Sequence, residues 1–218
     1  GTVETPLDEE GLRAIADRLA AEGIESVAVC FLNAYANADH ERRAAAILEE
    51  RVPHVTASHA VINEIREYER FSTAVVNAYL QPPIASYVGR LAEALRARGS
   101  RAPFLTMASN GGLLGEEKVR RLPVRTVLSG PAAGVAAAHY VAAEIGLASY
   151  ITYDMGGTSS DVALVADGRW PVKRETVLEG ILDEAATPEI FTGRSVYSIA
   201  TSSLAMRTPA APSLVGQQ

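Results

Sequence analysis

The sequence has a single cysteine, Cys30, which excludes an internal disulfide framework and any zinc site built on thiolates. It contains no apolar run of about 18 residues or more, so no membrane-spanning helix is visible. Basic residues do not dominate. Lys plus Arg total 20 against 26 Asp plus Glu, a formal net charge of −6. Such a surface repels phosphate backbones as a whole, which argues against a general nucleic-acid binder and leaves only a local pocket for a small anion. The opening GTVETPLDEE is neither basic nor apolar, so it does not read as a secretory signal, and a soluble cytoplasmic protein is expected. No G-x-S-x-G elbow and no G-K-[ST] phosphate loop occur. His40, His54, His59 and His139 are scattered, and no metal site is expected from them.

What is present is ordinary globular composition, 48% hydrophobic and 21% charged over 218 residues, enough chain for a real core. Short apolar strands alternate with amphipathic helices, the rhythm of an α/β architecture. Leu12, Ile15, Ala16, Leu19 and Ala20 recur at helical spacing, with Gly23 as a C-terminal stop. Ile24–Leu32 reads as a buried parallel strand carrying Cys30 as a small hydrophobe. HERRAAAILEERV reads as a second helix and HVTASHAV as a further strand. The longest helical stretch, Glu64–Arg98, contains Gln81-Pro82-Pro83, where a kink or two abutting helices are expected. Its start, EIREYER, reads as a solvated, charged face, with Glu64 and Glu67 suited to a helix N-terminus. PFLTMAS is a short strand ending in the turn Asn110-Gly111-Gly112. PAAGVAAAHYVAAEIG is an Ala-rich helix with a plausible cap at Ser129, and Asp167-Gly168 is a tight turn between strands. Beyond about Asp183 the periodicity fades into a Ser-, Thr-, Ala- and Pro-rich tail.

The segment most suggestive of chemistry is Asp154-Met155-Gly156-Gly157-Thr158-Ser159-Ser160-Asp161 between two apolar strands. Glycines allow a close ligand approach, and the hydroxyls of Thr158, Ser159 and Ser160 join main-chain N–H groups in a concavity suited to phosphate oxygens. Asp154, at a strand's carboxyl end, can hold hydrated Mg²⁺ or orient a water. A decorated hairpin turn is the plain alternative. Asn110, Gly111 and Gly112 follow a strand end, where α/β proteins place ligand contacts. Asn110 is suited to bind a substrate amide, or the three residues form a turn and nothing more. The N-terminus of the Ala-rich helix, Ser129-Gly130-Pro131, suits an anion or only a cap.

DMGGTSSDVALV resembles the second phosphate-loop segment of the hydantoinase A/5-oxoprolinase family. EIREYERFSTAVVNAYLQP, MASNGGL and PVRTVLSGPAAGV resemble further segments of that family in the same order, and the likeness covers roughly residues 5 to 182; it keeps a structural or subunit contact open as the alternative for EIREYER. The resemblance implies a partial actin-like ATPase (ribonuclease H-like) fold, with most of one lobe and the first strands of the second. Residues 1–128 would belong to the first lobe, 129–148 to an inter-lobe helix acting as hinge, and 149–182 to the start of the second lobe. Residues 183–218 would form an irregular or atypical tail. Family members usually begin with their own D-x-G-G-T segment and continue into a longer second lobe. The expectation is therefore a fragment, or a frame that departs after about Leu182, holding only part of a nucleotide site.

By resemblance the activity is ATP-dependent opening of a cyclic amide of the hydantoin or 5-oxoproline type. ATP and Mg²⁺ would be the cofactors, and Asp154 and Asp161 the catalytic carboxylates. Asp154 would be the metal ligand, Gly156 to Ser160 the phosphate cradle, and Asn110, Gly111 and Gly112 the substrate contact. Partners would be the small cyclic amide and a hydantoinase B-type subunit, with self-association left open and neither nucleic acid nor membrane involved. A non-catalytic actin-like interaction module and an acetone-carboxylase β-type subunit are the alternatives.

Overall fold

A computed structural model describes residues 2–155, 160–169, 175–178 and 197–200. Its helices are α1 (Glu9–Ala21), α2 (Asp39–Glu49), α3 (Ser58–Val61), α4 (Glu67–Ala97), α5 (Glu116–Arg121) and α6 (Ser129–Glu144). Its strands are β1 (Ser26–Val29), β2 (His54–Ala57), β3 (Leu105–Met107), β4 (Leu113–Gly115), β5 (Tyr150–Met155), β6 (Ser160–Val165), β7 (Glu175–Leu178) and β8 (Tyr197–Ala200). Strands β1 and β2 pair in parallel, whereas β3–β4, β5–β6 and β7–β8 are antiparallel pairs. The α/β class expected from the sequence is the one observed.

Helix α1 is started by Asp8, whose side chain accepts from the Gly11 amide at 2.9 Å, with Glu9 and Glu10 in the favourable first turn. Its apolar stripe lies against α2 and β1, where Ala16, Val29, Ala44 and Leu48 form one core cluster edged by Leu12, Leu19 and Phe31. A second cluster joins Val61, Ile62, Ala74, Val76 and Val124. A third, of Val88, Ala108, Leu114 and Val119, seats β3, β4 and α5 on the far half of α4.

Three sequence expectations change. Ile24–Leu32 yields only four strand residues. HVTASHAV divides, with β2 ending at Ala57 and α3 beginning at Ser58. Helix α4 runs through Pro82 and Pro83 without interruption. The missing Pro82 amide would have bonded the Ala78 carbonyl four residues back, and Ser26 Oγ donates to that carbonyl at 2.7 Å instead. The carbonyl corresponding to Pro83 belongs to Tyr79, an exposed residue.

Ser129 is the first helical residue of α6 rather than its cap. The capping position falls on Leu128, which has φ 61° and makes no side-chain cap bond. A left-handed leucine costs roughly 1–2 kcal/mol. The turn after β6 matches expectation: Asp167 and Gly168 both have positive φ and Ala166 bridges Arg169, as a tight two-residue hairpin requires. Of the expected tail, 183–218, only β8 is among the described residues.

Candidate functional site: the carboxylate hairpin and a buried ion network

In the hairpin β5–β6, Asp154 and Asp161 are direct cross-strand partners. Paired positions place Cβ atoms about 4.5–5.5 Å apart, and two like charges there repel unless a cation lies between them. Both side chains are exposed. Among the described residues no Lys or Arg forms an ion pair with either. Strand alternation puts Tyr150, Thr152 and Asp154 on the face towards α6. There the Tyr150 hydroxyl meets His139 Nδ1 at 3.0 Å. Asp154 Oδ2 lies over Gly134, 3.5 Å from where a β-carbon at that glycine would stand. The opposite face presents Ile151, Tyr153, Met155, Val162 and Leu164 to solvent.

Gly156, Gly157, Thr158 and Ser159 lie outside the described residues. Ser160 is placed at the start of β6, opposite Met155. Two facing carboxylates without a cationic neighbour form a donor set that fits Mg²⁺, which binds through one or two carboxylates and completes its shell with waters and phosphates. No group of three or more His, Cys, Asp or Glu side chains gathers as a metal cage among the described residues.

Asn110 sits in the β3–β4 turn. Its Oδ1 accepts from the Gly112 amide at 3.0 Å, while the Ala108 amide donates to Gly112 O at 2.8 Å and Gly111 adopts φ 81°. Positive φ there is what only glycine takes up cheaply. The turn therefore uses the Asn110 carbonyl and leaves its amide donor directed elsewhere. Ser109 ties it to the segment before α6: its amide and hydroxyl donate to Arg125 O at 2.8 Å, and the hydroxyl also reaches Val127 O. One joint thus holds the Asn110 turn and the start of α6.

A third group of residues was not legible in the sequence. Arg70, read as part of a solvated face, is wholly buried. Its Nε donates to Ser58 Oγ at 3.1 Å, Nη1 to Glu64 O at 2.7 Å, and Nη2 to Phe31 O at 3.0 Å, with the rings of Tyr35 and Phe71 against the guanidinium. Glu41, also buried, accepts from the Phe31 amide at 2.9 Å, Ser58 Oγ at 2.6 Å, the His59 amide at 2.8 Å and His59 Nδ1 at 2.5 Å. Burial raises the Glu41 carboxyl, but the hydrogen bonds from Ser58, His59 and Phe31 outweigh it and hold the group below its ordinary value. Burial, with Glu41 nearby, pushes the Cys30 thiol up to about 11, which makes it inert as a nucleophile. A Glu and an Arg 29 positions apart on different predicted helices give no local signal of their meeting. The only hint was a charge run too dense for one exposed face.

The α/β order and the paired carboxylates at a strand's end define a portion of an actin-like ATPase fold. The fold is shared with acetone carboxylase in its nucleotide-free structure (TM-score 0.67, 29% identity, 92% of this chain and 27% of that one). It is shared also with ATP-dependent caprolactamase from Pseudomonas jessenii (TM-score 0.68, 38% identity, 75% and 24%). The Hydantoinase/oxoprolinase family model matches residues 70–207 and the Hydantoinase/oxoprolinase N-terminal region model residues 1–52. The chain belongs to the hydantoinase/oxoprolinase family. Among characterised relatives, caprolactamase subunit alpha of P. jessenii is 38% identical over 171 residues, 78% of this chain and 25% of that protein. Acetophenone carboxylase gamma subunit of Aromatoleum aromaticum is 37% identical over 176 residues, 77% and 24%. The 5-oxoprolinase of Saccharomyces cerevisiae is 36% identical over 207 residues, 88% and 15%. The chain spans about a quarter of the length of the first two of these. Among the described residues no helix is long and apolar enough to cross a membrane.

Proposed function

We propose that this chain forms part of an enzyme that couples ATP hydrolysis to the opening of a cyclic amide. The observation that carries the reading is the Asp154–Asp161 pair: two unneutralised carboxylates facing each other across a hairpin whose strands flank, in sequence, a Gly-Gly-Thr-Ser run. Asp154 would be the carboxylate that holds Mg²⁺, with Asp161 its cross-strand companion, and Gly156 to Ser160 would enclose the phosphates. The cation's chemistry is to neutralise charge on the transferring phosphoryl group. The chain's own contribution is to place the carboxylates and to keep α6 out of their way through Gly134. Asn110, with its amide donor free of the turn, would meet the substrate carbonyl beside Gly111 and Gly112.

The names of the relatives support amide-ring chemistry through caprolactamase and 5-oxoprolinase, and ATP use through the solved ATP-dependent caprolactamase. They also support a second reading, ATP-dependent carboxylation of a ketone, through acetone and acetophenone carboxylase subunits. Several relatives are subunits by name, so a hydantoinase B-type subunit is the proposed partner, in the cytoplasm. The deciding experiment is ATP turnover by the full-length protein with hydantoin, 5-oxoproline or caprolactam, each with and without bicarbonate. Stimulation by a cyclic amide without bicarbonate supports hydrolysis. Turnover that requires bicarbonate and a ketone replaces it with carboxylation.

A further inference from the structure

We propose that His59 is a ligand-binding residue: its Nε2, at the carboxyl end of β2, accepts a hydrogen bond from the N–H group of a small cyclic amide. The inference rests on the cyclic-amide reading above and adds a substrate contact to it. Strands β1 and β2 are parallel, and immediately past their carboxyl ends stand Phe31 on one and Ser58-His59 on the other. Open α/β sheets bind ligands at that edge.

The ring's orientation is fixed from behind. Glu41 Oε2 is 2.5 Å from His59 Nδ1 and 2.8 Å from the His59 main-chain amide. An ionised carboxylate only accepts, so Nδ1 carries a hydrogen, and in the neutral ring the lone pair falls on Nε2. Glu41 is itself held by Ser58 and the Phe31 amide, so the pair cannot rotate away. The His59 side chain keeps 16% of its surface exposed, and among the described residues no protein group is hydrogen-bonded to Nε2. A histidine serving only to satisfy Glu41 would need neither the opening nor the unused acceptor.

The charged and titratable groups linked to this pair are Cys30 beside β1 and Arg70 of α4, which donates to Ser58 and also meets Glu67. Arg125 ties the segment after His59 to the one before α6: its guanidinium donates to Val61 O at 3.3 Å, and its carbonyl receives Ser109. A ring nitrogen that accepts is the complement of an amide N–H.

The test is titration calorimetry on the full-length protein with hydantoin and with 1,3-dimethylhydantoin, which lacks N–H, alongside ATP turnover. Hydantoin is expected to bind about fivefold more tightly, the worth of one hydrogen bond. The preference should vanish in His59→Asn, which retains a donor for Glu41 but offers no ring acceptor. Should that variant fail to fold, selectively ¹⁵N-labelled histidine in the native protein decides, with Nε2 expected to shift on adding hydantoin. If hydantoin raises ATP turnover while the preference survives in His59→Asn, or Nε2 does not shift, the inference falls and the cyclic-amide reading stands. If hydantoin, 5-oxoproline and caprolactam neither bind nor raise turnover, both fall together.

Discussion

Glu41, on helix α2, and Asp154, on β5 beside α6, are both carboxylates, yet their surroundings are opposite. Glu41 is buried among four donors, with Arg70 behind one of them, and every oxygen lone pair it can offer is occupied within the chain. Asp154 is exposed, faces a second carboxylate, and has glycine rather than a cation beneath it. The first arrangement satisfies itself and so contributes to folding. The second is unfavourable as it stands and becomes favourable when a cation arrives. A carboxylate whose electrostatics are incomplete within the chain is the better candidate for chemistry, whereas a complete one is evidence about architecture.

That contrast breaks most readily through the buried network. Arg70→Ala or Glu41→Ala strands the remaining charge, which should cost roughly 3–5 kcal/mol of unfolding free energy, measured by denaturant titration. The corresponding Asp161→Ala change should leave stability unaltered or slightly improved. Equal losses at both places would erase the distinction.

Position 134 sharpens the comparison from the other side. Gly134→Ala places a methyl at an ordinary 3.5 Å from Asp154 Oδ2 and should be tolerated, with about 0.5–1 kcal/mol gained from helix propensity. Gly134→Leu must displace the carboxylate. ATP turnover should fall about tenfold or more, by analogy with the loss of supporting groups around a metal, while the thermal midpoint changes little. Steady-state kinetics of both variants separate packing from positioning.

A smaller effect tests how α4 survives its prolines. Ser26→Ala leaves the Ala78 carbonyl without its donor and should cost about 1–3 kcal/mol, whereas the same change at an exposed serine such as Ser86 should be near neutral. The smallest is a pH effect. Glu9, paired with Arg43 and Arg13, has its carboxyl lowered from 4.5 to about 2, led by the hydrogen bond from Arg43. Glu41 is depressed as well. A group whose folded value is depressed is more protonated in the unfolded chain, so its stabilisation is complete above the unfolded value and disappears as pH falls through the folded one. Stability should therefore decline between about pH 4.5 and 2. Added salt should weaken only the Glu9 part, because that pair is at the surface. A Glu41→Gln variant should show a shallower decline.

The class of the fold, its longer helices and the hairpin around Asp154 were legible because each is written locally, in apolar runs, turn glycines and paired acids, whereas the short elements α3, β4 and α5 were not. What was not legible depends on partners distant in the chain. Two prolines inside α4 were read as a break because the sequence does not show that Ser26, 52 residues from Ala78, supplies the missing donor. EIREYER was read as a solvated face because burial of Arg70 depends on Phe31 and Ser58, which local periodicity cannot connect to it. Asn110 and its glycines were legible as a turn, but not the Ser109–Arg125 tie that sets the turn beside α6. Local chemistry identified the candidate site, and long-range hydrogen bonds determined what supports it.

The central claim is that the carboxylates at the mouth of the β5–β6 hairpin exist to hold a divalent cation with the tail of a nucleotide. Titration calorimetry of Mg·ATP into the full-length protein, compared with its Asp154→Asn variant, tests it most directly. Magnesium-dependent binding that weakens about a hundredfold or more in the variant, with folding intact, is the predicted result. Binding of equal strength in both proteins, or binding indifferent to magnesium, would contradict it.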